Sequence, residues 1–299
     1  MLIFTSANQM KYKGIIIGLF IFAAIPAVSL KAQDRLSFNS YEDTLITLGN
    51  KIWKMKDDSS RLSANTVFLE KYKVVLSLPA SFAYPFDSLS GISRLRSDDG
   101  KIRITTWNVP LKKGTFRYFG FLELDDGHVF TLQDVTRTPD WENKVISYDN
   151  WYGAVYYKLI SLKFKNEEYY TLLGWDGNND NSNFKIIDIL SLNSSGIPGF
   201  GKALFKTGKG IQNRVVIEYA EQSIALLRYD YQSFNIQKGK RIKAMKSWMI
   251  VMDRLIPITP NMTGIGRFYV PSGDTYDAYI FNEGYWNFTE NINIGNITH

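Results

Sequence analysis

The stretch Tyr169–Leu192, which reads YYTLLGWDGNNDNSNFKIIDILSL, has an apolar segment on each side of a polar tip. Aromatic and β-branched residues favour strands, whereas Asp, Asn and Gly accept the backbone angles of turns. The stretch therefore predicts two antiparallel strands joined by a turn, and we expect this hairpin to lie near the middle of the fold.

The chain around this hairpin repeats the same pattern from residue 100 to residue 290. Residues 101–107 alternate between polar and apolar with period two, and turn signals at Asp125–Gly127 and Asn282–Gly284 each separate two strand-like segments. About eleven such segments follow one another without intervening helices, and parallel neighbours would need long crossovers. The sequence therefore predicts a mainly β (α+β) fold, with an antiparallel meander that forms a sandwich or a partly closed barrel.

A helical pair precedes the strands. Apolar residues recur at helical spacing from Tyr41 to Ile52 and again from Leu62 to Leu76, and Pro79 ends the second segment. No linker or shift in composition divides the rest of the chain. We therefore expect a single domain over 33–299, with a helical segment over 33–78 and a β-rich region over 100–290.

The first 32 residues have the composition of a secretory signal peptide. Lys11 and Lys13 precede a mostly apolar run, Gly14–Val28, which is too short to span a bilayer comfortably, and Ala32 offers a small residue before cleavage at Gln33. An uncleaved membrane anchor is the alternative, but no stop-transfer flank follows the run. We expect an exported protein, periplasmic or extracellular, that is not an integral membrane protein after cleavage.

Composition excludes several kinds of site. The chain has no cysteine and only two histidines, so thiolate chemistry, disulfides and Cys-based zinc sites are excluded and a His-based triad is disfavoured. Residues 1–32 contain three lysines and no acidic residue, which leaves 32 basic and 29 acidic residues in the rest of the chain. With so small an excess of positive charge, nucleic acid is not an expected partner.

Five phrases of the sequence carry a resemblance to uncharacterised secreted proteins of Bacteroidetes-type bacteria. They are YPFDSL (84–89), RITTWN (103–108), YTLLGWDGN (170–178), VMDRL (251–255) and YDAY (276–279). The resemblance spans most of the chain after residue 32, and the junction at Ala32 and Gln33 looks like the usual cleavage site of such proteins. It implies a signal peptide and export, and it implies no activity.

The polar tip of the central hairpin contains a candidate calcium loop. Asp176, Asn178 and Asp180 occupy positions 1, 3 and 5 of a loop, the spacing at which oxygen ligands bind Ca²⁺ in EF-hands. The Gly and Glu that such a loop needs at positions 6 and 12 are replaced by Asn181 and Ile187. The sequence therefore favours a turn over a metal site, with Ca²⁺ as the alternative and no other cofactor indicated.

Two further groups of residues could bind a ligand. Adjacent aromatic residues could stack on sugars or bases, although one ring of each pair must face each side of a sheet. A basic run could contact anionic polysaccharide, lipid or nucleic acid, although a solvated strand face and a turn explain it as well. The aromatic pairs are Trp151–Tyr152, Tyr156–Tyr157, Tyr169–Tyr170 and Tyr285–Trp286, and the basic run is Lys238, Lys240, Arg241, Lys243 and Lys246.

No sequence motif identifies a catalytic residue, so the sequence leaves the function unknown. Export without a catalytic signature favours a non-enzymatic protein that binds an envelope protein or a glycan. One alternative is a saccharide hydrolase that uses two carboxylates about 5 to 9 Å apart, for example Asp188 and Glu218 on different strands. The other alternative is a structural or assembly protein without a small ligand.

Overall fold

A computed structural model describes residues 32–135, 140–208, 210–238 and 241–292. Two helices begin the described chain, α1 (Ala32–Lys54) and α2 (Asp58–Leu76), which confirms the predicted helical pair. The α2 helix begins where the Asp57 carboxylate accepts a hydrogen bond from the Ser60 amide at 2.9 Å, because such a cap satisfies an amide that has no partner within the helix. Residues 1–31 of the predicted signal peptide lie outside the described residues. No helix of the described chain is long and apolar enough to cross a membrane.

The described residues contain sixteen strands. The first half comprises β1 (Ser93–Arg96), β2 (Ile102–Pro110), β3 (Phe116–Leu124), β4 (Val129–Gln133), β5 (Ile146–Ser147), β6 (Val155–Phe164), β7 (Glu167–Asn179) and β8 (Ser182–Leu192). The second half comprises β9 (Pro198–Phe200), β10 (Phe205–Thr207), β11 (Gly210–Gln212), β12 (Val215–Ala220), β13 (Leu227–Lys238), β14 (Arg241–Pro257), β15 (Tyr269–Asn282) and β16 (Tyr285–Ile292).

These strands form three open sheets. The first sheet has the order β1-β2-β3-β4, and the middle sheet has the order β5-β9-β8-β7-β6 with β12 also paired to β8. The third sheet has the order β11-β10-β16-β15-β14-β13. Pairing is antiparallel except between β10 and β16, which run parallel. The mainly β prediction is confirmed, and no sheet of the described chain closes into a barrel.

The helices and the three sheets stack in layers. The helices pack on one face of the first sheet through Phe68, Tyr72 and Trp107, and the other face packs on the middle sheet through Ile104 and Tyr156. The opposite face of the middle sheet meets the third sheet in a cluster that includes Leu173, Ile187, Ile250 and Trp286. The middle sheet is therefore covered on both of its faces.

This double coverage explains the composition of the central hairpin, β7 and β8. A strand buried on both faces needs apolar residues at consecutive positions rather than at alternate ones. Leu172 and Leu173 on β7, and Ile186 and Ile187 on β8, are all fully buried. Burying each such side chain contributes about 1.5 to 3 kcal/mol, so this hairpin is a main source of stability.

The hairpin of β13 and β14 extends beyond the third sheet. The two strands pair along their whole length, from Leu227 opposite Met252 to Lys238 opposite Arg241. On its other side, β14 pairs with β15 only from Met249 onward. The part of β14 before Met249 therefore forms a two-stranded ribbon with β13. No third strand pairs with either edge of this ribbon in the described chain.

Candidate functional site

The candidate calcium loop lies in a tight hairpin rather than in a long turn. Asn179 and Ser182 face each other across β7 and β8, so only two residues form the turn, and the register shifts between Asp176 and Asn179. Such a bulge re-aims the side chains next to it. The predicted hairpin is confirmed, and most of its polar tip belongs to the strands.

Asp176 points into the protein. Its side chain is fully buried, and its Oδ1 accepts hydrogen bonds from the Tyr118 hydroxyl and the Asn178 amide, both at 2.8 Å. The same Tyr118 hydroxyl accepts from the Gly177 amide at 2.8 Å. These contacts tie β3 of the first sheet to β7 of the middle sheet, so Asp176 has a structural role in this arrangement.

The other two residues of the candidate loop diverge from Asp176. Asn178, with φ of +36°, donates from its Nδ2 to the Ser182 hydroxyl at 2.8 Å, and that hydroxyl donates to Glu218 at 2.6 Å. Asp180 is exposed and lies against Gly114 in the β2–β3 turn. No group of three or more His, Asp or Glu side chains in the described chain could hold a metal ion.

The predicted aromatic pairs lie almost entirely in the core. Tyr169 and Tyr170 point to opposite faces of β7, and both are buried because both faces of the middle sheet are covered. Tyr157 is 38% exposed, but its hydroxyl donates to the Leu227 carbonyl. Facing opposite sides of a sheet therefore does not leave one ring of each pair exposed to solvent. Tyr285 is half-buried. The other buried members are Trp151, Tyr152, Tyr156 and Trp286.

An exposed row of aromatic rings lies instead at the base of the β13–β14 ribbon. We call Tyr229, Tyr231 and Trp248 the aromatic surface. Tyr231 is directly opposite Trp248, and Tyr229 is two residues away on the same face of β13. The Trp248 ring stacks on Tyr229 with centroids 5.0 Å apart and meets Tyr231 at 5.6 Å. Trp248 is 53% exposed and Tyr231 is 52% exposed, so both side chains are about half accessible to solvent.

The core holds one end of this row in place. Tyr229 packs edge-on against Trp286 with centroids 6.3 Å apart, and Trp286 is fully buried with its Nε1 donating to Thr171 at 3.0 Å. Burial raises the pKa of Tyr229, and the negative charge of Asp98 adds to the effect. The aromatic surface is thus anchored to a rigid sheet and has an acidic neighbour.

One residue of the predicted basic run, Lys246, adjoins the aromatic surface. Residues 239 and 240 are outside the described residues, and the side chains of 235–238 and 241–244 are not described either. Lys246 is described, exposed and two residues from Trp248, so it lies on the same face of β14. The surface therefore combines three rings with a cation on the ribbon and a carboxylate nearby.

Three carboxylates line a cleft between the middle and third sheets. The cleft has a volume of about 550 Å³ and is lined in part by Glu218 on β12, Asp253 on β14 and Asp277 on β15. Asp277 is paired with Arg254 at 2.6 Å, and Asp253 accepts from the Leu226 amide at 2.7 Å. The structure does not put Asp188 in this cleft, because Asp188 is fully buried and paired with Arg214.

The aromatic surface was not predicted from the sequence, because Tyr229, Tyr231 and Trp248 do not form adjacent pairs. The available signal was the alternation of Tyr229 and Tyr231 around Asp230, which puts both rings on one face of a strand. No family model, curated protein or solved structure matches the chain.

Proposed function

We propose that the protein is an exported, non-enzymatic binding protein that holds a saccharide on the aromatic surface. The observation that carries this proposal is the row formed by Tyr229, Trp248 and Tyr231, with two of its three rings about half exposed. Aromatic side chains have an electron-rich face, which attracts weakly positive C–H groups. One face of a pyranose ring consists largely of such groups, so a sugar stacks on a tryptophan of this kind.

The neighbouring charges favour a saccharide over nucleic acid. Asp98 is close enough to Tyr229 to raise its pKa, and a carboxylate at that position repels a phosphate backbone. Lys246, on the same face of β14 as Trp248, can donate to ring or hydroxyl oxygens of a sugar. The small net charge outside residues 1–32 agrees with this choice.

The test compares two tryptophans of equal exposure. Trp248 and Trp53 are both 53% exposed, but Trp53 is on α1, outside the aromatic surface. We expect the purified chain to be retarded in gels that contain bacterial envelope polysaccharides and to bind members of a glycan array. Trp248→Ala should abolish that binding, whereas Trp53→Ala should leave it unchanged.

Two results would contradict the proposal. Equal binding by the two tryptophan variants would show that the aromatic surface is not the site. Absence of binding to every glycan tested would favour a structural or assembly protein that has no small ligand.

A carboxylate-based saccharide hydrolase is the second candidate, and the cleft lined by Glu218, Asp253 and Asp277 is the observation that favours it. In such an enzyme one carboxyl group protonates the leaving oxygen while another acts as base or nucleophile. The release of reducing ends from envelope polysaccharides measures this activity. It should disappear in Glu218→Gln and Asp253→Asn, and it should persist in Glu70→Gln, which alters an exposed residue of α2.

A further inference from the structure

Three arginines come together at the edge of the first sheet, on the side that faces the helices. Arg94 and Arg96 are two residues apart on β1 and therefore share a face, and Arg103 of β2 is directly opposite Arg96. Together with the loop 83–87 they line a cavity of about 340 Å³. Like charges repel one another, so an anion bound among the three guanidinium groups would be favoured.

Only one of the three positive charges is balanced by a carboxylate. Arg103 is buried and donates two hydrogen bonds to Glu123, each at 2.6 Å. Arg94 and Arg96 form no ion pair with any residue of the described chain. They are held by neutral groups instead, because Arg94 donates to the Ile92 carbonyl at 3.1 Å and the Arg96 guanidinium lies 4.4 Å from the Phe82 ring centroid.

The opposite wall of this cavity is held rigidly. Glu42 of α1 accepts hydrogen bonds from the Tyr84 hydroxyl at 2.6 Å and from the Ser88 amide at 2.7 Å, one contact on each side of the loop. Between them, Phe86 is fully buried in the left-handed region with φ of +54°. A non-glycine residue adopts this conformation at a cost in free energy, and such residues cluster at ligand sites.

We propose that the cavity formed by Arg94, Arg96, Arg103 and the loop 83–87 binds an oxyanion, namely a sulfate, phosphate or carboxylate group. The donors are those of Arg94 and Arg96, since guanidinium groups present planar, paired N–H groups that match these anions. Arg103 adds positive charge only, because its own N–H groups already donate to Glu123 and to the Ser81, Phe82 and Tyr84 carbonyls. The site does not rest on the aromatic surface. The anion is either free in solution or a substituent of a saccharide.

Two further observations bear on this site. Partial burial lowers the pKa of Arg96 and the positive charge of Arg103 lowers it further, while the Glu123 carboxylate partly offsets both, so an anion in the cavity would reduce the remaining repulsion. Asp87 also lines the cavity and is exposed. Its negative charge repels an incoming anion, so a variant without this charge is expected to bind the anion more tightly.

The experiment titrates inorganic sulfate and phosphate into the purified chain and follows the arginine Nε–H signals by NMR. We expect saturable shifts of the Arg94 and Arg96 signals that weaken as sodium chloride is added. Arg96→Gln should weaken binding about tenfold or more, because a charge-assisted hydrogen bond is lost. Asp87→Asn should strengthen binding about two- to fivefold.

The matched control is Arg267→Gln. Arg267 is also exposed and lies 5.0 Å from the centroid of a phenylalanine ring, Phe268, but it does not line the cavity. Its loss should leave the titration unchanged, and so should Trp248→Ala, which separates this site from the aromatic surface.

A second arm distinguishes the two sources of the anion. Sulfated and uronic oligosaccharides that bind at least tenfold more tightly than the inorganic ions, with the same dependence on Arg96, identify a saccharide substituent. Equal or weaker binding identifies a free anion. The proposal is overturned if Arg96→Gln and Arg267→Gln weaken binding equally, or if the inorganic ions and the oligosaccharides produce no saturable shift.

Discussion

Replacing Arg103 by methionine should destabilise the protein more than any of the single charge substitutions named in the experiments above. The Arg103 and Glu123 side chains are 3% and 2% exposed, and removal of one partner leaves the other charged and buried. Breaking such a pair costs about 3 to 5 kcal/mol. Arg103 also donates to the Ser81 and Tyr84 carbonyls, and each lost hydrogen bond adds about 1 kcal/mol.

Urea unfolding followed by circular dichroism measures this effect. We expect Arg103→Met to lose about 5 to 7 kcal/mol, which lowers the unfolding midpoint by about 1.7 to 2.3 M for a slope near 3 kcal/mol/M. Arg117→Met is the control, because Arg117 is 52% exposed and its contact with Asp134 is long, at 3.5 Å. Its loss should cost less than about 1 kcal/mol.

The double variant Arg103→Met, Glu123→Leu separates a buried charge from lost packing. Without either charge, no uncompensated ion remains, so the double variant should recover at least about 2 kcal/mol relative to Arg103→Met. Two results would refute the reasoning. One is a double variant as unstable as Arg103→Met, and the other is an Arg103→Met variant no less stable than Arg117→Met.

Three further substitutions test other parts of the fold. Burial raises the pKa of Tyr72 to about 12, so the stability that its neutral form provides is complete below pH 10 and is lost as the pH rises to 12. Urea unfolding should show that a rise from pH 7 to pH 11.5 costs the native chain about 2 kcal/mol more stability than it costs Tyr72→Phe, and equal losses in the two proteins would contradict this. Gly177→Ala should lower stability by about 1 to 3 kcal/mol in thermal unfolding, because the new Cβ would lie 2.2 Å from the Phe116 ring. Glu283→Asn should raise stability by about 0.5 to 1 kcal/mol in the same assay, since Glu283 has φ of +52° in a hairpin turn that favours Asn, and a loss would refute this assignment.

Local features of the fold were predictable from the sequence because short-range chemistry decides them. The turn signals at Asp125–Gly127 and Asn282–Gly284 each join two paired strands, as expected. The helical pair and the central hairpin were equally predictable, since periodicity and turn residues act within a few positions of one another.

The layering was not predictable, and it determines which side chains are exposed. Tyr170 and Tyr231 have similar sequence surroundings, each in an aromatic strand, yet the first is buried and the second is half exposed. The difference arises because the middle sheet is covered on both faces while the β13–β14 ribbon extends beyond its neighbours. The arginine cavity was likewise hidden, because it depends on which residue of β2 is opposite Arg96.

The parallel contact between β10 and β16 has a kinetic consequence. The last described strand, Tyr285–Ile292, is an internal strand of the third sheet and separates β10 from β15. Phe205 pairs with Trp286 across 81 residues of chain, and contacts of such sequence separation form slowly because a long loop must close first. The third sheet therefore cannot be completed before β16 has been synthesised. Until then β10 and β15 each lack one neighbouring strand, which keeps this part of the nascent chain open longer than a simple meander would.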